Sequence, residues 1–118
     1  MASVLLIEDE SLIRMMVADM LTELGHSIAG EAPDLATGLT MATEAMFDAA
    51  VLDVQLGAHN SEPIAQALHN RGIPFAFASG YGADRIPDNF KGGAVLQKPF
   101  QIEALERCMA SLLANKRP

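Results

Sequence analysis

Short apolar segments alternate with helical patterns along these 118 residues, and this alternation limits the fold more than any other feature. The five predicted strands are Val4–Ile7, His26–Ala32, Ala49–Leu52, Pro74–Ala78 and Ala94–Leu96. Strands that alternate with helices are joined by right-handed crossovers, and they form a parallel sheet that helices cover on both faces. The sequence therefore predicts an α/β fold, a flavodoxin-like (βα)5 three-layer sandwich with a five-stranded parallel sheet of order 2-1-3-4-5.

Helical patterns separate these strands. The predicted helices run from Ser11 to Gly25, from Pro33-Asp34 to Met46, over Glu62–Asn70 and from Ile102 to Leu113. Ser11 is predicted to cap the first helix and Gly25 to end it. Apolar residues recur along this helix at helical spacing, and Met15, Met16 and Met20 are predicted to fill the core. The segment 57–60 is predicted to be a loop, and four glycines and a proline between residues 79 and 93 favour only a short helix there.

The composition narrows the class of function. Eight basic and fifteen acidic side chains give a net charge of −7, which argues against nucleic-acid binding because that binding relies on Lys and Arg neutralising phosphates. No apolar run approaches the ~20 residues that span a bilayer. The N-terminus lacks the positive charge of a signal peptide, and the one cysteine, Cys108, suits a reducing compartment. We therefore expect one cytoplasmic domain over residues 1–118, without an output domain.

Polar side chains follow four of the five predicted strands. Glu8 and Asp9 follow the first strand, Asp53 the third, Ser79 the fourth and Lys98 the fifth. The carboxyl ends of parallel strands meet at one edge of the sheet, where ligands bind. Three carboxylates in one place raise one another's pKa unless a cation joins them, and Mg2+ accepts both carboxylate and phosphate oxygens. The central carboxylate, Asp53, could then attack phosphorus while the amine and the hydroxyl share the transferred charge.

Four segments at these strand ends resemble the signature segments of response-regulator receiver domains. They are Ile7-Glu8-Asp9-Glu10, Val51-Leu52-Asp53, Ala78-Ser79-Gly80 and Gln97-Lys98-Pro99-Phe100, in the family's order and nearly spanning the chain. The resemblance implies that Asp53 accepts a phosphoryl group. It also implies that Glu8, Asp9 and Asp53 hold Mg2+ together with the backbone carbonyl of Gln55.

The same resemblance assigns the groups that contact the phosphoryl oxygens. Ser79 matches the hydroxyl residue and Lys98 matches the lysine, with a cis peptide between Lys98 and Pro99. A histidine kinase or a phosphotransfer protein is the implied phosphoryl donor, docking near the first helix. The resemblance also implies a surface for downstream partners, formed by the fourth and fifth helices and the fifth strand.

Two positions depart from the common family pattern. Val95 stands where receivers usually carry a switch aromatic, three residues before the lysine. The run from Phe75 to Tyr81 is similar to a subclass whose fourth strand ends in Phe-Ala-Thr-Gly with an aromatic just beyond. We therefore expect Tyr81 and the segment 80–93 to carry the switch, and the subclass resemblance implies a kinase of the HWE type.

Alternative interpretations stay open for the single residues and for the whole. Residues 8–10 could cap the first helix, Asp53 could cap the following loop, Ser79 could be a turn residue and Lys98 could be solvated. The main functional alternative is a degenerate receiver that acts as a phosphorylation-independent binding module. A flavodoxin-like cofactor binder is disfavoured because the acids would repel phosphate. Missing phosphate-loop and Asp-x-Asp motifs argue against a nucleotide hydrolase and a haloacid-dehalogenase-type phosphatase. We predict a signalling domain rather than an enzyme.

Overall fold

A computed structural model describes residues 2–80 and 85–114 of the chain. Its elements, in chain order, are β1 (Ser3–Ile7), α1 (Ser11–Glu23), β2 (Ser27–Ala32), α2 (Leu35–Glu44), β3 (Ala49–Asp53), β4 (Gln55–Leu56), β5 (His59–Asn60), α3 (Glu62–Asn70), β6 (Phe75–Ser79), a 3-10 helix (Asp88–Phe90), β7 (Ala94–Gln97) and α4 (Ile102–Ala114). In this described part, no helix has the length and apolar character needed to cross a lipid bilayer.

Five of the strands form one parallel sheet in the order β2-β1-β3-β6-β7. Since β6 and β7 are the fourth and fifth predicted strands, the predicted order 2-1-3-4-5 is confirmed. The neighbouring strands β1 and β3 are paired as far as Ile7, which lies opposite Leu52. The residues that follow Ile7 and Leu52 therefore lie side by side. The sheet order therefore sets residues 8–9 and residue 53 at one edge.

Alternate residues of the central strands supply two cores on opposite faces of the sheet. Val4 and Leu6 pack in the core that α1 and α4 cover, whereas Leu5 and Ile7 pack in the core that α2 and α3 cover. Strands buried on both faces need apolar residues at nearly every position. This requirement explains why the central strands β1 and β3 appear in the sequence as short continuous apolar runs.

The residues after β3 form a small hairpin that the sequence did not predict. β4 and β5 pair antiparallel, so the prediction of a loop over residues 57–60 is wrong in its second half. Gly57 turns the chain with a φ of +62°, in the left-handed region that glycine adopts at little cost. Strands of two residues are too short to show an alternating pattern, so periodicity could not reveal them.

Helix α1 exposes apolar residues that were predicted to be buried. Met15 and Met16 are 55% and 50% exposed, so the prediction that they fill the core is wrong, whereas Met20 is partly buried against the core. Leu12 is also exposed, at 64%. Val17 and Leu21 are buried against the sheet instead. Apolar residues occur around much of this helix, and their spacing alone did not determine which stripe faces the core.

The helix ends differ in part from the sequence-based expectations. Glu10 rather than Ser11 is the N-cap of α1, and it makes no side-chain cap hydrogen bond, so the predicted Ser11 cap is wrong. Gly25 follows the end of α1 with a φ of +93°, as predicted. Asp34 caps α2 by accepting a hydrogen bond from the Thr37 N–H at 2.7 Å. α2 ends before Met46, which is outside the helix and exposed.

The orientation of α1 can be tested by a matched pair of leucine substitutions. We expect Leu21→Ala to lower the free energy of unfolding by about 2–5 kcal/mol, because it opens a cavity in a fully buried site. Leu12→Ala should change it by less than about 0.5 kcal/mol, because that side chain is largely in water. Urea unfolding of both variants measures the difference, and equal losses would contradict this orientation.

Candidate functional site

Three carboxylates meet at the carboxyl ends of β1 and β3. Glu8 and Asp9 follow β1, and Asp53 is the last residue of β3. One carboxylate oxygen from each lies within 4.8 Å of the other two. Glu8 is buried, Asp53 is half-buried and Asp9 is exposed, so the cluster extends from the core edge to the surface.

The Lys98 ammonium lies between two of these carboxylates. Its Nζ donates to Glu8 Oε1 at 2.5 Å and to Asp53 Oδ2 at 3.1 Å. The Lys98 backbone N–H donates to the Ser79 carbonyl at 2.8 Å, which fixes where the side chain leaves β7. The Lys98–Pro99 peptide bond is cis, as the family resemblance implied. Lys98 is therefore part of the cluster and not the solvated residue of the alternative interpretation.

Ser79 and Gln55 lie at the same edge of the sheet. Ser79 is buried at the end of β6, one residue beyond the Ala78 that pairs with Asp53. Gln55 is exposed, and its backbone N–H donates to Asp53 Oδ1 at 3.3 Å. The structure thus brings Ser79 and Gln55 to the cluster, whereas Tyr81, the predicted switch residue, lies outside the described residues.

Two contacts of the acidic pair were missed by sequence reasoning. The Gly57 N–H at the turn of the β4–β5 hairpin donates to Asp9 Oδ2 at 2.9 Å. Arg14, on α1, donates from Nη1 to the Glu8 backbone carbonyl at 2.7 Å. The first contact joins residues 48 positions apart, and a lone arginine on a helix has no distinctive pattern, so neither contact had a local signal.

The ionisation of the site reflects burial and hydrogen bonding. Burial raises the pKa of Glu8 to about 7; the hydrogen bond from Lys98 opposes this rise, and the charge of Asp53 adds to it. For Lys98, burial acts to lower the pKa, but the hydrogen bond to Glu8 and the charge of Asp53 outweigh it and leave the pKa raised. Lys98 therefore stays protonated at neutral pH.

Asp9 differs from the sequence-based expectation that the three acids would raise one another's pKa. Burial acts to raise the pKa of Asp9, but hydrogen bonds from the Gly57 N–H and the Glu8 side chain outweigh it and lower the pKa. Asp9 therefore does not show the raised pKa that was expected for clustered carboxylates without a cation, because the hairpin supplies a donor that the sequence did not reveal and the Lys98 charge also lowers the pKa. Asp9 remains a carboxylate across the neutral range.

The donor set fits a hard divalent cation. Three carboxylates meet here, and the single ammonium of Lys98 cannot neutralise them all. Mg2+ prefers oxygen ligands at about 2.1 Å, which places opposite ligands about 4.2 Å apart. Oxygens within 4.8 Å of one another approach this spacing, and Mg2+ also retains waters that can complete its shell. Glu8, Asp9 and Asp53 could therefore hold such an ion.

An apolar groove of about 280 Å³ adjoins the site between α1 and the residues after β7. Its lining residues are Ile13, Met16, Val17, Met20, Lys98, Pro99 and Phe100. The exposed apolar side chains of α1 extend this groove across the helix surface. A larger cavity of about 410 Å³ surrounds Phe75 and Phe90 at the starts of β6 and β7, away from the acidic cluster.

The raised pKa of Glu8 predicts that this residue lowers stability when no cation is bound. The folded state holds the Glu8 proton more tightly than the unfolded chain does, so the stabilisation is complete below pH 4.5 and is lost as the pH rises through about 7. In metal-free buffer, Glu8→Gln should raise the unfolding free energy at pH 8 by up to roughly 3 kcal/mol. The gain should vanish near pH 4.5.

Chemical denaturation across this pH range measures the effect. Glu106→Gln, which removes an exposed carboxylate on α4, is the matched control and should show little change at any pH. A gain for Glu8→Gln that does not depend on pH would show that the effect does not arise from the raised pKa of Glu8.

A family model and several known proteins match this chain. The family model described as "Response regulator receiver domain" matches residues 4–110. The chain is 31% identical over 106 residues to the transcriptional regulatory protein PdtaR of Mycobacterium tuberculosis, covering 86% of this chain and 52% of PdtaR. It thus spans about half the length of the curated relatives that it matches.

Solved structures with similar folds include two of proteins named SdrG. The solution structure of SdrG from Sphingomonas melonis Fr1 has a TM-score of 0.83 and 38% identity, and the match covers 96% of this chain and 97% of SdrG. The BeF3-activated conformation of SdrG, from Pseudomonas melonis Fr1, has a TM-score of 0.80 and 38% identity, with coverage of 94% and 95%. With the family model matching most of its length, the chain belongs to the receiver-domain family of two-component response regulators.

Proposed function

We propose that this domain acts in a two-component phosphorelay, in which Asp53 accepts a phosphoryl group with the help of Mg2+. The observation that carries the proposal is the position of the Lys98 ammonium, which contacts both Glu8 and Asp53 within the acidic cluster. Asp53 is half-buried and reachable from solvent, whereas Glu8 is almost fully buried. Asp53 is therefore the better-placed nucleophile of these two, and Glu8 is better suited to binding the cation.

The proposed chemistry assigns a separate task to each group. Glu8, Asp9, Asp53 and the backbone carbonyl of Gln55 would hold Mg2+. The bound ion would offset the charge on the oxygens of the phosphoryl group during transfer. An Asp53 oxygen attacks phosphorus in line, the phosphorus–nitrogen bond of the donor phosphohistidine breaks, and an acyl phosphate forms. Lys98 stays protonated and moves from Asp53 to a phosphoryl oxygen.

The buried Ser79 hydroxyl is proposed to donate to another phosphoryl oxygen. Its strand, β6, leads directly into the segment 80–93, so a change at Ser79 can reach the surface around β6 and β7. Val95, in place of the usual aromatic, is half-buried in the core beneath α2 and α3. We propose that the segment 80–93 transmits the signal to a protein partner.

The donor is proposed to be a histidine kinase or a phosphotransfer protein that docks on α1. The groove beside Lys98 is lined by apolar side chains, and Leu12 and Met15 continue this apolar surface. Such a surface fits a helix of the donor that presents apolar residues. The HWE type of kinase rests on the similarity of the run from Phe75 to Tyr81 to one receiver subclass. We place this exchange in the cytoplasm, where the lone thiol Cys108 stays reduced.

Phosphorylation of the site is tested by intact mass after incubation with acetyl phosphate and Mg2+. Wild-type protein should gain one phosphoryl group, and the gain should disappear without Mg2+ and in Asp53→Ala. Asp88→Asn removes an exposed carboxylate that is not one of the three in the cluster, and this variant should be labelled like the wild type. Protein that neither binds Mg2+ nor gains mass would instead support the degenerate receiver, a phosphorylation-independent binding module.

Docking on α1 is tested by the ratio of two phosphorylation rates. Met16→Glu should slow transfer from a phosphorylated histidine donor by about tenfold, corresponding to roughly 1.4 kcal/mol, because it adds a charge to the apolar groove. Acetyl phosphate needs no docking helix, so its rate reports whether the site is intact. Met46→Glu, at a strongly exposed methionine after α2, is the matched control. An equal slowing in both variants would contradict docking on α1.

A further inference from the structure

The backbone carbonyl of Glu8, the first residue of the acidic pair, bonds to a side chain and not to a neighbouring strand. The Glu8 N–H still pairs with β2, donating to the Ala32 carbonyl at 3.0 Å. Its carbonyl instead accepts a hydrogen bond from Arg14 Nη1 at 2.7 Å, a short bond for a charged donor. This bond fixes the peptide unit between Glu8 and Asp9, from which both carboxylates extend.

Arg14 is itself held in place by a second strand. Its Nε lies 3.3 Å from Glu31 Oε1, and Glu31 precedes the Ala32 whose carbonyl accepts from Glu8. The Arg14 side chain is only 20% exposed. A guanidinium can donate in two fixed directions at once, which the single ammonium of a lysine cannot reproduce in the same plane. The Arg14 side chain thus joins the first turn of α1 to the end of β1 and to the end of β2.

From these contacts we infer that Arg14 is a positioning residue for the cation site formed by Glu8, Asp9 and Asp53. Arg14 touches neither the carboxylates nor the reacting atoms; it acts by holding the Glu8–Asp9 peptide so that two ligand carboxylates face Asp53. The inference rests on the proposed function in that it takes Mg2+ as the ligand. Residues that orient metal ligands in this indirect way typically change metal affinity when they are replaced.

The sign of the effect separates positioning from simple electrostatics. Arg14 is a cation near a cation site, so removing its charge alone would tighten the binding of Mg2+. Loss of positioning would instead weaken the binding. Arg14→Met removes the charge and both donors, whereas Arg14→Lys keeps the charge and loses the two-directional geometry. Positioning therefore predicts weaker Mg2+ binding in both variants. Electrostatics alone predicts tighter binding in Arg14→Met and no change in Arg14→Lys.

The test is a titration of the whole chain with Mg2+, in which calorimetry and amide NMR shifts measure the binding. We expect Arg14→Met to raise the Kd for Mg2+ about tenfold and Arg14→Lys to raise it by a smaller factor. Arg71→Lys is the matched control, because Arg71 also donates to backbone carbonyls, those of Ala42 and Ala45, but at the end of α2. It should leave the Kd unchanged even if it lowers stability.

Two results would overturn the inference. Mg2+ binding in folded Arg14→Lys and Arg14→Met that is as tight as in the wild type, or tighter, would show that Arg14 does not position the ligands. Wild-type protein that binds no Mg2+ would overturn both this inference and the proposed function. If Arg14→Met does not fold, Arg14→Lys alone decides between positioning and charge.

Discussion

The bridge from Lys98 to Glu8 and Asp53 is the interaction on which the rest of the site depends. It joins residues that are 90 and 45 positions apart in the sequence and that follow or end three different strands. Only the order in which β1 and β3 lie next to each other, with β6 and β7 beyond, brings the amine to both carboxylates. The hydrogen bond from the Lys98 N–H to the Ser79 carbonyl joins the ends of β7 and β6 at the same edge.

At the buried residue Glu8, the carboxylate that the proposed function needs lowers the stability of the fold. Glu8 is almost fully buried, and its pKa is raised because desolvation outweighs the help it receives from Lys98. A core residue chosen for stability alone would not be an acid here. Asp9 lies in water and is held as a carboxylate by the Gly57 N–H. The pair thus combines one carboxylate with a raised pKa, Glu8, and one with a lowered pKa, Asp9. This combination is consistent with a site that a divalent cation completes.

The sheet order and the four strands that carry site residues could be predicted from the sequence, because each of these four strands is a continuous apolar run with a polar residue at or just after its end. The exposed face of α1 could not, since Leu12, Met15 and Met16 have the same apolar character as the residues that are buried. The β4–β5 hairpin was too short to show a pattern. The contacts of Gly57 with Asp9 and of Arg14 with Glu8 depend on tertiary structure, so no local spacing could reveal them.

In the proposed function, Asp53 is the residue that carries the phosphoryl group. Borohydride reduction of the phosphorylated protein converts an aspartyl phosphate to homoserine, and peptide mass spectrometry then locates the reduced residue. We expect reduction at position 53 alone, and only when Mg2+ was present during phosphorylation. Reduction at Glu8 or Asp9, or phosphorylated protein with no reducible carboxyl group, would contradict it.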